Sequence, residues 1–207
     1  GDASVDVTSD GGTLTIGAAT TTSTLGDSSI DVDATGGLTT ITTLLTATES
    51  GDSSVSVEAD GGLTLETSII TAATTGDASL DVSVTGGATI LPTLTATAVD
   101  GIGSIDVTTS GGALTLGDGT TAAGAGDASI DITATGGLTT INTLSSDTTT
   151  GDASTTVTTD GGLTLLTSIT TNTLTGDASL TVDATGGATF LPTLTATAVD
   201  GIGSIDV

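Results

Sequence analysis

Seven aspartates follow a glycine at multiples of 25 residues, and their carboxylates are the groups of this sequence best placed to do chemistry. They are Asp2, Asp27, Asp52, Asp77, Asp127, Asp152 and Asp177. If the repeats stack, these residues form columns, and a column of carboxylates could bind Ca²⁺, a hard cation that prefers oxygen ligands. The alternative is that each Asp caps a turn by accepting hydrogen bonds from nearby backbone N–H groups. Calcium is the one cofactor that the sequence suggests.

A second set of acidic residues alternates with apolar residues and is therefore predicted to face outward. It contains Asp6, Asp31, Asp81, Asp106, Asp131 and Asp206. Asp31 and Asp33 form a D-x-D pair, and two carboxylates could in principle hydrolyse a glycoside. The sequence has no His, Lys, Arg or Tyr to assist them, and acids repeated in nearly every unit are typical of a surface pattern. We therefore predict that the chain is not an enzyme.

The overall charge excludes several classes of partner. The 207 residues include 25 Asp and Glu but no Lys, Arg or His, which gives a formal charge of −25. Nucleic-acid binding depends on basic side chains that neutralise phosphates, so we expect no nucleic-acid partner. An anionic membrane surface would repel the chain, and no apolar run approaches the roughly 18 to 20 residues that span a bilayer. We expect no membrane insertion.

The whole chain is a sequence repeat of 25 residues whose phase never slips. Units begin at residues 1, 26, 51, 76, 101, 126, 151 and 176, and a partial unit covers 201–207. A second period of 100 residues lies over the first, because LPTLTATAVDGIGSIDV occurs both at 91–107 and at 191–207. Ile102 and Ile202 stand where the other units have the Asp of the G-D pair. Duplication of a four-unit block explains this pattern.

Each unit is predicted to contain three short strands. Its fifth and seventh residues are apolar, as in Val5 and Val7, and polar residues separate them, which is the period-two pattern of a half-buried strand. Thr155 is the one exception at the fifth position. A Gly-Gly pair marks a turn, a second apolar strand such as LTL at 63–65 follows, and a Thr-rich segment leads to the next unit.

Short strands at a constant period predict one all-β domain over residues 1–207, a parallel β-solenoid with eight coils. With about 4.8 Å between neighbouring strands, the rod would be on the order of 40 Å long. A narrow core filled by stacked aliphatic side chains also accounts for the near absence of aromatic residues, of which Phe190 is the single example. A β-sandwich is the alternative, but it explains the 25-residue period poorly.

The segment GSIDVTTSGGALTLGDGTTAAGAGDASIDITATGGLTTINTL at 103–144 resembles the repeats of filamentous-haemagglutinin-like exoproteins and other long bacterial surface proteins. This resemblance covers the whole chain. It implies a right-handed β-helix, secretion to the cell surface or beyond, and a role in adhesion or extracellular structure. Cell-surface or matrix molecules would then be partners.

We therefore expect a structural building unit of an extracellular fibre or surface layer. Neither end of the repeat carries an atypical unit that would cap the strand edges. We therefore expect the stack of coils to continue beyond these ends. Continuation could come from a longer repetitive chain or from head-to-tail association of identical copies. A calcium-dependent adhesin stalk is the alternative function. An ice-binding protein is less favoured, because the Thr positions drift between units.

Overall fold

The structure, a computed structural model that describes residues 1–207, consists of β-strands joined by short turns. Nine strands form one parallel sheet, sheet A, and eight form a second, sheet B. Sheet A contains β1 (Ala3–Asp10), β3 (Ser28–Thr35), β5 (Ser53–Asp60), β7 (Ala78–Thr85), β9 (Gly103–Ser110), β11 (Ala128–Thr135), β13 (Ala153–Thr159), β15 (Ala178–Ala184) and β17 (Gly203–Asp206). Sheet B contains β2 (Leu14–Ser23), β4 (Thr39–Ser50), β6 (Leu63–Thr75), β8 (Thr89–Ala98), β10 (Leu114–Ala123), β12 (Thr139–Thr150), β14 (Leu163–Thr175) and β16 (Leu194–Ala198).

The chain winds between the two sheets as a parallel β-solenoid of about eight turns, which confirms the predicted fold class. Strands of the two sheets alternate along the chain, and each strand pairs with the strand two places later. The paired Cα atoms are 25 residues apart, as in Val5 with Ile30 and Ile105 with Ile130. We call residues 1–25 coil 1, and so on to coil 8 at 176–200, and number positions 1 to 25 within each coil. The structure has no helix long and apolar enough to cross a bilayer.

Each coil has two long strands where the sequence predicted three of about five residues. Strands of sheet A reach eight residues, and β6 in sheet B has 13. In β4, two consecutive half-exposed residues, Thr42 and Thr43, separate buried Ile41 from buried Leu44. The alternation therefore resumes in the opposite phase after a bend, and β4 pairs with its neighbours on both sides of that bend. The predicted second and third strands are two arms of one strand.

The strand register departs from the constant 25-residue phase in coils 3 and 7. Leu63 pairs with Thr39, which lies 24 residues earlier, whereas Ser68 pairs with Thr43, 25 residues earlier. The same shift occurs at residues 163–168 of β14. The LTL motif begins one position earlier in these coils, and a one-residue slip would turn its leucines outward. The coil therefore loses one residue at the Gly-Gly turn and gains one at the bend, so the strand register shifts locally while the 25-residue repeat is kept.

The core is a column of stacked aliphatic side chains, with 34 buried residues in one cluster. One of its columns alternates large and small side chains, so that successive coils interdigitate. The column runs Leu14, Thr39, Leu63, Thr89, Leu114, Thr139, Leu163. The single aromatic ring, Phe190, lies outside the core and is 61% exposed.

Buried hydroxyl groups pair inside the core where the two sheets meet. Ser53 donates to Thr46 at 2.7 Å. Thr155, the exception at the fifth position, is buried and accepts a hydrogen bond from Thr171 at 3.0 Å. Thr71 is equally buried, but its hydroxyl has no partner, because the residue that corresponds to Ser53 in the next coil is an alanine. The same column thus contains satisfied and unsatisfied threonines.

Thr71 and Thr46 are neighbours in this column and provide a matched test. We expect Thr71→Val to raise the free energy of unfolding by about 1 kcal/mol, because it removes a buried hydroxyl that makes no hydrogen bond. Thr46→Val should lower it by about 1–3 kcal/mol, because the Ser53 hydroxyl loses its partner. Urea titrations of both variants measure the difference, and equal effects would contradict the assignment of partners.

Candidate functional site: the aspartate ladder

The seven aspartates of the G-D pairs stack in two columns at position 2 of the coils. Each carboxylate accepts a hydrogen bond through Oδ1 from the backbone N–H of position 2 in the following coil. Asp2, Asp27, Asp52 and Asp77 accept at 3.2, 3.0, 2.9 and 2.8 Å. Asp127, Asp152 and Asp177 accept at 2.9, 2.8 and 2.9 Å. We call these two columns the aspartate ladder.

The direction of one N–H group explains why an acceptor is needed at this position. In coil 3, the N–H groups of Gly51 and Ser53 donate to the carbonyls of Thr75 and Asp77, one turn further along the chain. The Asp52 N–H between them points to the preceding coil, where the Asp27 carboxylate takes the place of a backbone carbonyl. The aspartates therefore cap backbone N–H groups, as the alternative to calcium binding predicted. The capped N–H belongs to the next coil, whereas the prediction placed it in the same turn.

Glycine at position 1 allows this close approach of successive coils. Gly51 has a φ of +124°, in the region that favours glycine. A Cβ at Gly51 would also lie 2.5 Å from the Gly26 carbonyl oxygen and 2.8 Å from Asp27 Oδ1. The G-D pair is thus one device: glycine lets the backbones approach, and aspartate supplies the acceptor.

The two isoleucines at position 2 divide the ladder. Ile102 donates its N–H to Asp77 at 2.8 Å, and Ile202 donates to Asp177 at 2.9 Å. Neither side chain can accept a hydrogen bond in return. The Asp127 N–H therefore has no carboxylate in the coil before it, and the ladder begins again at coil 6.

The geometry of the ladder does not form a metal centre. No group of three or more Asp, Glu, His or Cys side chains is arranged to hold a metal ion. Calcium takes six to eight oxygen ligands, whereas each ladder carboxylate has one oxygen bonded to a backbone N–H and neighbours only along one line. The structure brings the seven predicted ligands into columns but does not bring any three of them around one point.

The outward-facing acids of sheet A also stack. Asp106 lies between Asp81 and Asp131 in the register of the sheet. Partial desolvation among the neighbouring strands raises the pKa of Asp81, and the charges of Asp106 and Glu58 raise it further. Desolvation and then the charge of Asp106 raise the pKa of Asp131. Because the chain has no cationic side chain, no side chain offsets this repulsion.

The remaining predicted acids lie on the same open face. Asp31 and Asp33 are both exposed on β3, with Val32 buried between them. They line no cavity and have no titratable neighbour other than further carboxylates. The D-x-D pair is therefore part of the carboxylate surface of sheet A, and the geometry gives it no catalytic partner.

Sequence reasoning missed one cavity of about 420 Å³ on the outer side of sheet B, near the ends of β2, β4, β6 and β8. Residues along it include Thr22, Ala47, Glu49, Ala72, Thr97 and Val99. In coils 6 and 7 the positions of Ala47 and Ala72 carry Asp147 and Asn172, which bond to each other at 2.7 Å. The sequence signal that could have revealed the cavity is this difference between the two 100-residue blocks. The cavity is lined by methyl and hydroxyl groups, which select no particular ligand.

The outward threonines of sheet B do not form an unbroken array. At position 20, Thr20 and Thr95 are separated by Leu45 and Ile70 in the stacked coils. An ice-binding face would need Thr at one fixed position in every coil. The geometry therefore gives no support to that alternative.

Comparison with known proteins identifies no relative of this chain. No protein-family model matches it, and neither a curated protein nor a solved structure does so. The resemblance to filamentous-haemagglutinin-like repeats stays a prediction from the sequence. Function must be argued from the geometry.

Substitutions at Asp52 separate the hydrogen bond of the ladder from its charge. We expect Asp52→Asn to be more stable than Asp52→Ala by about 1 kcal/mol, because the amide oxygen can still accept the N–H of the next coil. At low salt Asp52→Asn should also equal or exceed the native chain, since neighbouring charges about 4.8 Å apart repel by roughly 0.9 kcal/mol in water. Thermal unfolding measures the order, and an Ala variant as stable as the Asn variant would contradict the capping role.

Lowering the pH should stabilise this protein. The folded-state pKa values of Asp81 and Asp131 are raised above 3.8, so the folded chain binds protons more tightly than the unfolded chain. Their contribution to stability is present below pH 3.8 and is lost as the pH rises through the raised values. The free energy of unfolding, measured by denaturant titration, should therefore increase between pH 7 and pH 4.

Asp106→Asn is the sharper form of this experiment, because Asp106 raises the pKa of both neighbours. It should raise stability at pH 7 and flatten the dependence on pH. Asp206→Asn is the matched control, since Asp206 lies in the same column but faces Thr181. A native chain that loses stability steadily on acidification would contradict the expectation.

Proposed function

We propose that this protein is a rod-shaped structural unit of an extracellular fibre or surface layer, and that its copies associate end to end. The observation that carries the proposal is the way one coil covers another: coil 5 pairs with both strands of coil 4 and buries Leu91 and Leu94. The outer faces of coils 1 and 8 carry equivalent residues, and coils of a second copy or of a longer repetitive chain would cover them in the same way. The extracellular setting is supported by the resemblance of the repeats to bacterial surface exoproteins.

The second copy of LPTLTATAVD provides an internal comparison for the last coil. Leu91 and Leu94 are 0% exposed, because coil 5 covers coil 4. Leu191 and Leu194 have the same sequence around them, yet they are half-buried, because no strand covers sheet B beyond β16. A further coil would bury this face as coil 5 buries coil 4.

The first coil is open in the same way. Val5 and Val7 of β1 and Leu14 and Ile16 of β2 are half-buried and pack against the core on one side only. The outer edges of both strands have backbone groups without a strand partner. Unpaired edges of this kind are templates for strand addition, and solenoids that remain single normally cover them with a capping element.

Charge favours growth along the rod over association at its sides. The outer face of sheet A carries stacked carboxylates, and the chain has no cation with which a neighbouring flank could pair. Two rods lying side by side would therefore repel each other. Contacts at the ends bury apolar side chains and pair strand edges. We therefore expect end contacts to be more favourable than contacts between the flanks, where carboxylates meet.

Electron microscopy of the purified chain tests the proposal. A single chain is on the order of 40 Å long, so rods many times longer, with constant width, are expected as concentration and salt increase. Sedimentation velocity over the same series should show species that grow with concentration. Uniform monomers at all concentrations would contradict the proposal.

A matched pair of variants shows whether growth uses the ends. Leu194→Glu places a charge on the open face of the last coil and should prevent long rods. Leu174→Glu makes the same change at a side chain that is 49% exposed on the flank, and should leave rods unaffected. Circular dichroism of both monomers controls for loss of fold.

A further inference from the structure

We propose that coil 1 of one copy docks on coil 8 of a second copy in the register in which coil 5 lies on coil 4, and that β1 of the incoming copy replaces β17. This inference rests on the proposed end-to-end association and specifies its interface. We call the open side of coil 1 the first-coil face and the open side of coil 8 the last-coil face. Three features of the chain carry the argument.

The first feature is Gly17, a glycine that neither backbone conformation nor a contact within residues 1–207 requires. Gly17 lies in β2, its φ is outside the left-handed region, and a Cβ added to it would meet nothing within 4 Å. Gly117 is the equivalent residue in coil 5, and a Cβ there would collide with the carbonyl oxygen of Pro92 in coil 4. Pro192 of coil 8 is the equivalent of Pro92, and it is exposed. Gly17 therefore fits over the Pro192 of a second copy.

The second feature is the register that this contact sets. Within the chain, β10 lies on β8 with Leu114 opposite Thr89 and Leu116 opposite Leu91. Docking in the same register places Leu14 opposite Thr189 and Ile16 opposite Leu191. It continues the alternating Leu and Thr column across the junction and buries apolar side chains that are half-exposed on both faces.

The third feature is that β17 already occupies one half of the last-coil face. Gly203 and Ile205 pair with Ala178 and Leu180 of β15, in the register that β9 adopts on β7. Sheet A consequently has one strand more than sheet B. If β17 stayed in place, the incoming coil would stack on β17 in sheet A. A gap of one strand spacing, about 4.8 Å, would then remain in sheet B between β16 and the incoming β2.

Replacement of β17 lets both sheets join at once. Strand β17 has four residues and all of them are exposed, whereas β1 has eight. Val5 would take the place of Ile205 opposite Leu180, and the Asp2 N–H would take the Asp177 carboxylate that now accepts from Ile202 at 2.9 Å. The ladder then runs from one copy into the next. It also places two carboxylates next to each other, so salt or acid should promote assembly.

Cysteine cross-linking tests the register, because the native chain has no cysteine. Ile16→Cys and Leu191→Cys variants, mixed and oxidised, should form a disulfide between copies, since neighbouring Cα atoms about 4.8 Å apart are within bonding range. Leu14→Cys with Leu191→Cys is the control, because those Cα atoms would be roughly 8 Å apart. Cross-linking of the control pair alone, or of neither pair within assembled rods, overturns the register.

Two further variants test the glycine and the strand exchange. Gly17→Ala should leave the melting temperature of the monomer unchanged but raise the concentration needed for assembly about tenfold or more, because the added methyl group meets a backbone carbonyl only at the junction. Gly117→Ala, the matched control, should lower the melting temperature of the chain itself. Deletion of residues 201–207 should speed assembly.

The outcomes separate this inference from the proposed function. Long rods that are unaffected by Gly17→Ala overturn the Gly17–Pro192 contact and leave end-to-end association standing. Slower assembly after deletion of 201–207 shows that β17 belongs to the junction and overturns the exchange. A native chain that never assembles overturns both proposals. Rods with the expected cross-link, blocked by Gly17→Ala, establish the interface.

Discussion

The constraint on which the whole structure depends is that each strand residue lies directly above and below paired residues of the neighbouring coils, which at most positions are its equivalents. A side chain must therefore pack beside the same residue type in the next coil, or beside a residue of complementary size. Glycine meets this requirement at position 1, where a Cβ on Gly51 would strike the carbonyl of Gly26. Aspartate meets it at position 2 by accepting the N–H of the next coil. Aliphatic side chains meet it in the core, with Leu and Thr alternating in the column that runs from Leu14 to Leu163.

The same constraint makes the charge of this protein cumulative. Any acid that recurs at one position of the repeat has other acids as its nearest neighbours, as Asp106 has Asp81 and Asp131. A chain without cations cannot relieve this repulsion internally. Each ladder carboxylate accepts a backbone N–H of the next coil, whereas Asp81 and Asp131 on the outer face of sheet A have raised pKa values, through desolvation and then the charge of Asp106. Charge thus acts on the flanks, and hydrogen bonding and apolar burial act along the axis.

Exact stacking also explains why the ends are the reactive parts of the rod. In the middle, coil 5 both satisfies the strand edge of coil 4 and buries Leu91 and Leu94. Strands β1 and β2 of coil 1 and β16 of coil 8 have a strand partner on one side only. Because the segment at 91–107 occurs again at 191–207, the junction of coils 4 and 5 is the template for the contact between copies that we propose.

The sequence by itself determined the period, the inward positions such as Val5 and Val7, the interruptions at Ile102 and Ile202, and the parallel solenoid. Periodicity carries this information because it states which residues are equivalent. Only the tertiary structure decided that Asp27 caps the N–H of Asp52 in the next coil, that a bend at Thr42 and Thr43 joins two predicted strands, and that Leu63 pairs 24 residues back. These are contacts between coils, and they depend on where the backbone bends and which atoms then face each other. Alternation along one strand specifies a face, but it does not specify the neighbour that the face will meet.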